Sequence, residues 1–80
     1  MKIPRDLSGE DLAKLLRKFG YQVVRQKGSH LRLTTETPNE HHITIPNHAP
    51  LKIGTLSAIL SDVAEHQGLS KEEVVRLLFA

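Results

Sequence analysis

Strict alternation of apolar and polar residues over two short stretches constrains the fold of this chain more than any other feature. The stretches are HLRLT (30–34) and HITI (42–45), and their apolar positions are Leu31, Leu33, Ile43 and Ile45. Successive side chains of a β-strand point to opposite faces, so both stretches predict strands with one apolar and one polar face. YQVVRQ (21–26) is rich in β-branched and aromatic residues and predicts a third strand. Short connections favour an antiparallel meander, whose apolar face needs a cover.

Helical patterns before and after these strands can supply that cover. LSGEDLAKLLRKFG (7–20) has Ser8 as a predicted N-cap with Asp11 at the third helical position, and Gly20 is placed to end the helix. Its apolar positions recur at helical spacing: Leu12, Leu15, Leu16 and Phe19. Residues 51–68 repeat this pattern with Leu56, Ile59, Leu60 and Val63.

A last, short helix is predicted over residues 69–79, with Ser70 as its cap and Glu73 at the third position. Its apolar residues suit either docking on the core or pairing with a partner. The element order α-β-β-β-α-α predicts an α+β fold, with the helices on one face of a three-stranded antiparallel sheet. Eighty residues make one domain, spanning 1–80.

Composition narrows the class of protein. The chain has no cysteine, which excludes disulfides and thiolate metal sites and fits a reducing cytoplasm. No stretch resembles a signal peptide or a membrane span, so we expect a cytoplasmic protein without a membrane partner. Residues 1–33 hold eight basic against three acidic residues, whereas residues 34–80 hold three basic against six acidic ones. The basic half suggests a side that faces a polyanion.

The polar face of the sheet concentrates cations beside a histidine. His30 follows the predicted turn Gly28-Ser29, with Lys27 before it and Arg32 after it. Backbone N–H groups of such a turn can hold a phosphate oxygen. Arg25 shares this face if the first strand has the right register, which its own pattern leaves open. Ordinary solvated strand residues are an alternative interpretation of the same pattern.

Three motifs in order resemble the HicA family of toxin ribonucleases from bacterial toxin–antitoxin pairs. They are Gly-Ser-His in GYQVVRQKGSHLRL, Pro-x-His in ITIPNHAP, and Lys-x-Gly-Thr-Leu in LKIGTLSAIL, and the similarity extends over about residues 6–75. The resemblance implies a fold like that of a double-stranded-RNA-binding domain, α-β-β-β-α, here with a short extra C-terminal helix. It also implies a metal-independent endoribonuclease that cuts mRNA, and a HicB-type antitoxin that covers the catalytic face.

The family's catalytic histidine corresponds to His30, which would act as general acid or base because imidazole titrates near neutral pH. The predicted RNA and phosphate contacts are Arg25, Lys27, Gly28, Ser29, Arg32, His48 and Lys52. Lys52 precedes a helix start, where unpaired N–H groups attract phosphate. Whether His48 takes part in catalysis or only stabilises its loop is left open.

Two other interpretations compete with the nuclease. A zinc site made of His30, His42 and His48 is conceivable, but no neighbouring carboxylate pattern supports it, so we expect no metal and no cofactor. A non-catalytic RNA-binding module of the same fold would need the basic face but not His30. A protein-interaction domain that has lost RNA activity is a third class. The sequence leaves the cleavage-site preference, ribosome dependence and oligomeric state open.

Overall fold

The computed structural model describes residues 3–79, and the predicted domain is described over that range. It contains three helices, α1 (Gly9–Leu15), α2 (Ile53–Gln67) and α3 (Lys71–Phe79), and three strands, β1 (Gln22–Lys27), β2 (His30–Thr35) and β3 (His41–Pro46). The order α-β-β-β-α-α and the single antiparallel sheet confirm the predicted α+β fold, which is consistent with a double-stranded-RNA-binding-domain-like arrangement.

The first helical segment begins and stops where its sequence predicts, but its last turn has 3₁₀ geometry. Ser8 Oγ accepts a hydrogen bond from the Asp11 N–H at 3.0 Å, and the Ser8 N–H donates to the Asp11 carboxylate at 3.3 Å. The α-helix itself ends at Leu15, and the last turn of the predicted helix, Leu16–Phe19, is a 3₁₀ helix. Gly20 ends this segment with φ of 82°, a left-handed conformation that suits glycine.

The sheet has the strand order β1-β2-β3, with both neighbouring pairs antiparallel. Leu31 pairs with Ile45 and Leu33 with Ile43, so the alternating apolar residues share one buried face. Helix α1 and helix α2 cover that face, and six of the eight apolar residues predicted at helical spacing are buried in the core: Leu12, Leu16, Leu56, Ile59, Leu60 and Val63. Leu15 and Phe19 pack against this core while partly buried.

A buried threonine joins the end of the 3₁₀ turn to the sheet. Thr35 is 1% exposed, and its hydroxyl donates to the Phe19 carbonyl at 2.9 Å. The same hydroxyl accepts a hydrogen bond from the Thr37 N–H at 3.2 Å. The Thr35 hydroxyl therefore both donates and accepts a hydrogen bond inside the protein, as a buried hydroxyl requires.

Helix α3 docks on the core and does not project from it. Ser70 and Glu73 form the predicted reciprocal cap, with both hydrogen bonds at 3.1 Å. The bonds from the Ser70 backbone and side chain hold the pKa of the Glu73 carboxyl below its ordinary value. The apolar side facing the core is fully buried and consists of Val74, Val75 and Leu78. Of the two alternatives for this helix, docking is the one that the fold adopts.

The longest helix, α2, has 15 residues. Over residues 3–79, none of the helices combines the length and the apolar character needed to cross a membrane.

Candidate functional site on the open face of the sheet

A two-residue turn presents His30 to solvent. Lys27 pairs with His30 across β1 and β2, so Gly28 and Ser29 form the whole connection. Gly28 has φ of 57°, the positive value that a type II′ hairpin turn requires at its first central position. Its position faces open space, with no heavy atom within 4 Å of an added Cβ. The turn therefore has open space beside the Gly28 Cα.

The sheet register places the cations of β1 and β2 on one face. Residues directly opposite each other in an antiparallel pair share a face, so Lys27 lies beside His30 and Arg25 beside Arg32. Thr44 of β3 pairs with Arg32 and extends the second row. The open register of the first strand is thereby resolved, and Arg25 belongs to the His30 face.

These side chains line an open depression with a volume of about 550 Å³. The lining consists of Arg25, Lys27, Gly28, Ser29, His30, Arg32 and Thr44. It brings together three cations, a turn and the histidine, and none of these lining residues is acidic. Thr44 was not among the predicted site residues, although its outward position in the alternating pattern placed it on the same face.

The pairing of Arg25 with Arg32 is unfavourable for folding by itself. Directly opposed side chains have Cβ atoms about 4.5–5.5 Å apart, and like charges there destabilise a sheet by a few tenths of a kcal/mol or more. An anion bound between the two guanidinium groups removes this repulsion and accepts hydrogen bonds from both. The arrangement therefore suits a phosphate group, which has the charge and the acceptor oxygens to match.

The loop after β3 is held beside the turn by backbone contacts. The Asn47 N–H donates to the Ser29 carbonyl at 2.6 Å, and the Gly9 N–H donates to the His48 carbonyl at 3.0 Å. The His48 side chain is exposed, and so is Lys52, which lies directly before α2. Neither residue lines the depression, so the structure does not bring these two predicted contacts into it.

His42 lies on the same face as His30 but both of its ring nitrogens are engaged. Its Nδ1 lies 2.7 Å from the Thr34 hydroxyl, and its Nε2 lies 2.9 Å from the Glu40 carboxylate. A ring bonded at both nitrogens has none left for a metal ion. Within residues 3–79, no group of three or more histidine, aspartate or glutamate side chains is placed to hold a metal.

A second histidine cluster, on the helix side of the sheet, was not predicted from the sequence. His41 Nδ1 lies 2.8 Å from the buried Tyr21 hydroxyl, and His41 Nε2 lies 3.3 Å from the Asp62 carboxylate. The His66 ring stacks on His41 at a centroid distance of 4.2 Å and bonds the Asn39 carbonyl at 2.9 Å. The alternation of residues along β3 was the sequence signal for this cluster, because it places His41 on the face opposite His42.

Burial in this cluster raises the pKa of the Tyr21 hydroxyl from 10.0 to about 12. A hydrogen bond to Gln67 acts in the opposite direction, and the negative charge of Asp62 adds to the increase. Tyr21 therefore stays protonated at neutral pH. The cluster joins β3, α2 and the loop between β2 and β3.

A comparison with protein families identifies the family of this chain. Residues 9–64 match the family described as the HicA toxin of bacterial toxin–antitoxin systems. The chain belongs to this family. The match spans α1, the whole sheet and most of α2, and so includes the depression around His30. No curated protein and no solved structure matches the chain.

Membership in the HicA family makes this protein the toxin of a toxin–antitoxin pair and implies an antitoxin as its partner. The predicted family is thus confirmed. The assignment of roles to single residues in the depression stays a prediction.

Proposed function

We propose that this HicA-family toxin is a metal-independent endoribonuclease that cleaves mRNA, with His30 as its general acid/base. The observation that carries the proposal is the depression in which His30 lies beside Lys27 and the opposed pair Arg25–Arg32. Exposed like charges in register cost folding energy, and such departures from local consistency are expected where a ligand is bound. A phosphodiester has the matching charge.

The RNA supplies its own nucleophile, the 2′-hydroxyl, and His30 handles its proton. His30 accepts the proton of the 2′-hydroxyl, and the resulting 2′-oxygen attacks the adjacent phosphorus. The bond from phosphorus to the 5′-oxygen breaks, and that oxygen takes a proton from the imidazolium or from water. The products are a 2′,3′-cyclic phosphate and a free 5′-hydroxyl. Lys27 and the two arginines stabilise the charge that develops on the phosphate oxygens.

We further propose that a HicB-type antitoxin silences the toxin by covering this face. Arg25, Lys27 and Arg32 are exposed and suit acidic groups on a protein surface as well as they suit phosphates. An antitoxin bound there competes with mRNA directly.

His30→Ala tests the catalytic role. Because the His30 side chain is exposed at the first position of β2, the variant should keep the wild-type melting temperature within a few degrees. Loss of a general acid/base should slow cleavage of a defined mRNA by about 100-fold or more. RNA binding by filter retention and antitoxin binding should persist. Wild-type cleavage by the variant would refute the assignment.

Three further experiments separate this mechanism from its alternatives. His48→Ala in the neighbouring loop shows whether a second histidine supplies the leaving-group proton. Cleavage should continue in EDTA and should stop when a 2′-deoxynucleotide replaces the ribose at the cut site. Loss of activity in EDTA with recovery in zinc or magnesium would overturn the mechanism. RNA binding without any cleavage by the wild-type protein would favour the non-catalytic RNA-binding module.

A further inference from the structure

Strand β1 lies at an edge of the sheet and is exposed along its whole length. The strand order puts it outermost, and all six of its residues are exposed. Val23 and Val24 are 47% and 60% exposed, and they are two of the four large hydrophobic residues found exposed in residues 3–79. An open edge that carries apolar side chains is a template for pairing with another strand.

A groove runs along the helix side of this edge, between β1 and α1. Its volume is about 320 Å³, and Ala13, Val23 and Leu31 supply its apolar surface. Polar and charged side chains complete the lining: Glu10, Lys14, Arg17 and Gln26. A strand added next to β1 places alternate side chains in this groove.

The backbone at Gln26 is available for such pairing. The two residues that close a two-residue hairpin form a hydrogen-bonded pair, here Lys27 and His30. Hydrogen-bonded and non-hydrogen-bonded pairs alternate along an antiparallel ladder, so Gln26, paired with Leu31, directs its N–H and C=O away from β2. These groups lie at the free edge of the sheet.

Charge selects the kind of strand that fits. β1 carries Arg25 and Lys27 and no acidic residue, and Lys14 and Arg17 outnumber Glu10 at the groove. Antiparallel pairing of two copies of β1 would oppose cations with cations, which disfavours a second copy. An acidic partner strand turns the same charges into attraction.

We propose that the antitoxin adds an extended segment, with alternating acidic and apolar side chains, to the free edge of β1 as a fourth strand. Its apolar side chains occupy the groove beside Val23, and its acidic side chains meet Arg25 and Lys27 on the open face. The inference rests on the proposed masking of the His30 face by the antitoxin, because both surfaces share these two cations. Main-chain hydrogen bonds provide affinity in this mode of recognition, and the side-chain alternation provides specificity.

Gln26→Pro tests this pairing by removing one N–H. Proline is tolerated on edge strands where its nitrogen faces away from the ladder, so the fold should persist. Gln26→Thr is the matched control, since it changes the side chain and keeps the N–H. The probe is the purified product of the reading frame adjacent to that of this toxin. Its Kd should rise about tenfold or more for Gln26→Pro and stay within about threefold for Gln26→Thr.

Deuterium exchange of the Gln26 amide in the wild-type protein gives a second measurement that does not depend on a variant folding. Exchange should slow when the antitoxin binds, and unchanged exchange would overturn the proposal. Equal antitoxin affinity for wild type and Gln26→Pro would refute the edge pairing alone and leave the masking of His30 intact. Failure of the antitoxin to bind the wild-type toxin would refute both. A Gln26→Pro variant impaired in RNA cleavage but not in antitoxin binding would assign the edge to RNA and overturn the proposal.

Discussion

Replacing Gly9 by alanine sets two effects of opposite sign against each other. Gly9 is the first residue of α1, and alanine in a helix ordinarily stabilises a protein by about 0.4–1 kcal/mol, because glycine loses more backbone entropy on folding. Here, however, a Cβ at Gly9 would lie 2.3 Å from the Pro46 carbonyl oxygen and 3.0 Å from the Asn47 Cα. Ordinary contact begins at 3.4 Å, so two backbone segments must separate by about 1 Å.

The clash should win. Overpacking typically costs about 1–3 kcal/mol, and a contact of 2.3 Å with a backbone atom belongs in the upper part of that range, at about 2–3 kcal/mol. Subtracting the entropic gain leaves a net loss of roughly 1–2.5 kcal/mol. For a domain of this size, that loss lowers the melting temperature by about 4–20 °C. The shift also reaches the site, since Asn47 donates to the Ser29 carbonyl in the turn before His30. Gly9→Ala should therefore reduce RNA cleavage at temperatures where the variant remains folded.

Gly54→Ala is the matched control, measured by the same thermal unfolding followed by circular dichroism. Gly54 also lies in the first turn of a helix, but a Cβ there meets nothing within 4 Å. Its melting temperature should rise by about 2–8 °C. A Gly9→Ala variant that gained stability as Gly54→Ala does would refute the close packing of α1 on the loop after β3.

Two further predictions concern charge. Arg32→Gln removes the repulsion with Arg25, so we expect a melting temperature higher by about 1–8 °C. RNA binding should weaken, and the slope of log K against log[salt] should fall in magnitude by about 1. A lower melting temperature would contradict the unfavourable pairing. Tyr21, the single tyrosine of the chain, has its pKa raised from 10.0 to about 12. Its protonated hydroxyl therefore contributes fully to the free energy of unfolding below pH 10, and this contribution is lost as the pH rises toward 12. The loss should reach at most about 3 kcal/mol in urea unfolding, and Tyr21→Phe should lack this pH dependence; equal slopes for the two proteins would argue against it.

Local signals predicted the elements of this fold well, because each is written in a few consecutive residues. The reciprocal caps at Ser8 and Ser70 and the stop at Gly20 depend on side chains within three or four positions. The tightening of the first helix after Leu15 could not be predicted in this way. There the Phe19 carbonyl accepts its hydrogen bond from Thr35, a residue of another element, so the helix end depends on tertiary structure.

The second histidine cluster shows a different limit. Alternation predicts that His41 points toward the helices, and a buried tyrosine hydroxyl such as that of Tyr21 is expected to need a partner. Nothing in the linear pattern indicates that these two groups are each other's partner, 20 residues apart, or that Asp62 and His66 of α2 complete the cluster. Such side-chain pairs form only once the sheet and the helix are packed together.

The pattern of the first strand is ambiguous at its two adjacent valines. Counting back from the turn, Lys27 and Arg25 must face outward, because the two-residue hairpin fixes Lys27 opposite His30. An uninterrupted strand would then turn Val24 inward and Val23 outward. A bulge between Val23 and Arg25 reverses this, so that Val23 pairs with Leu33 and Val24 is left unpaired and exposed. Either valine satisfies the apolar face equally well, so the pattern alone could not choose between them.

The orientation of the cations does not depend on which valine faces inward, because both cations lie between the bulge and the turn. The chemistry of the His30 face therefore depends on the length of the Gly28-Ser29 turn more than on the strand that follows Gly20.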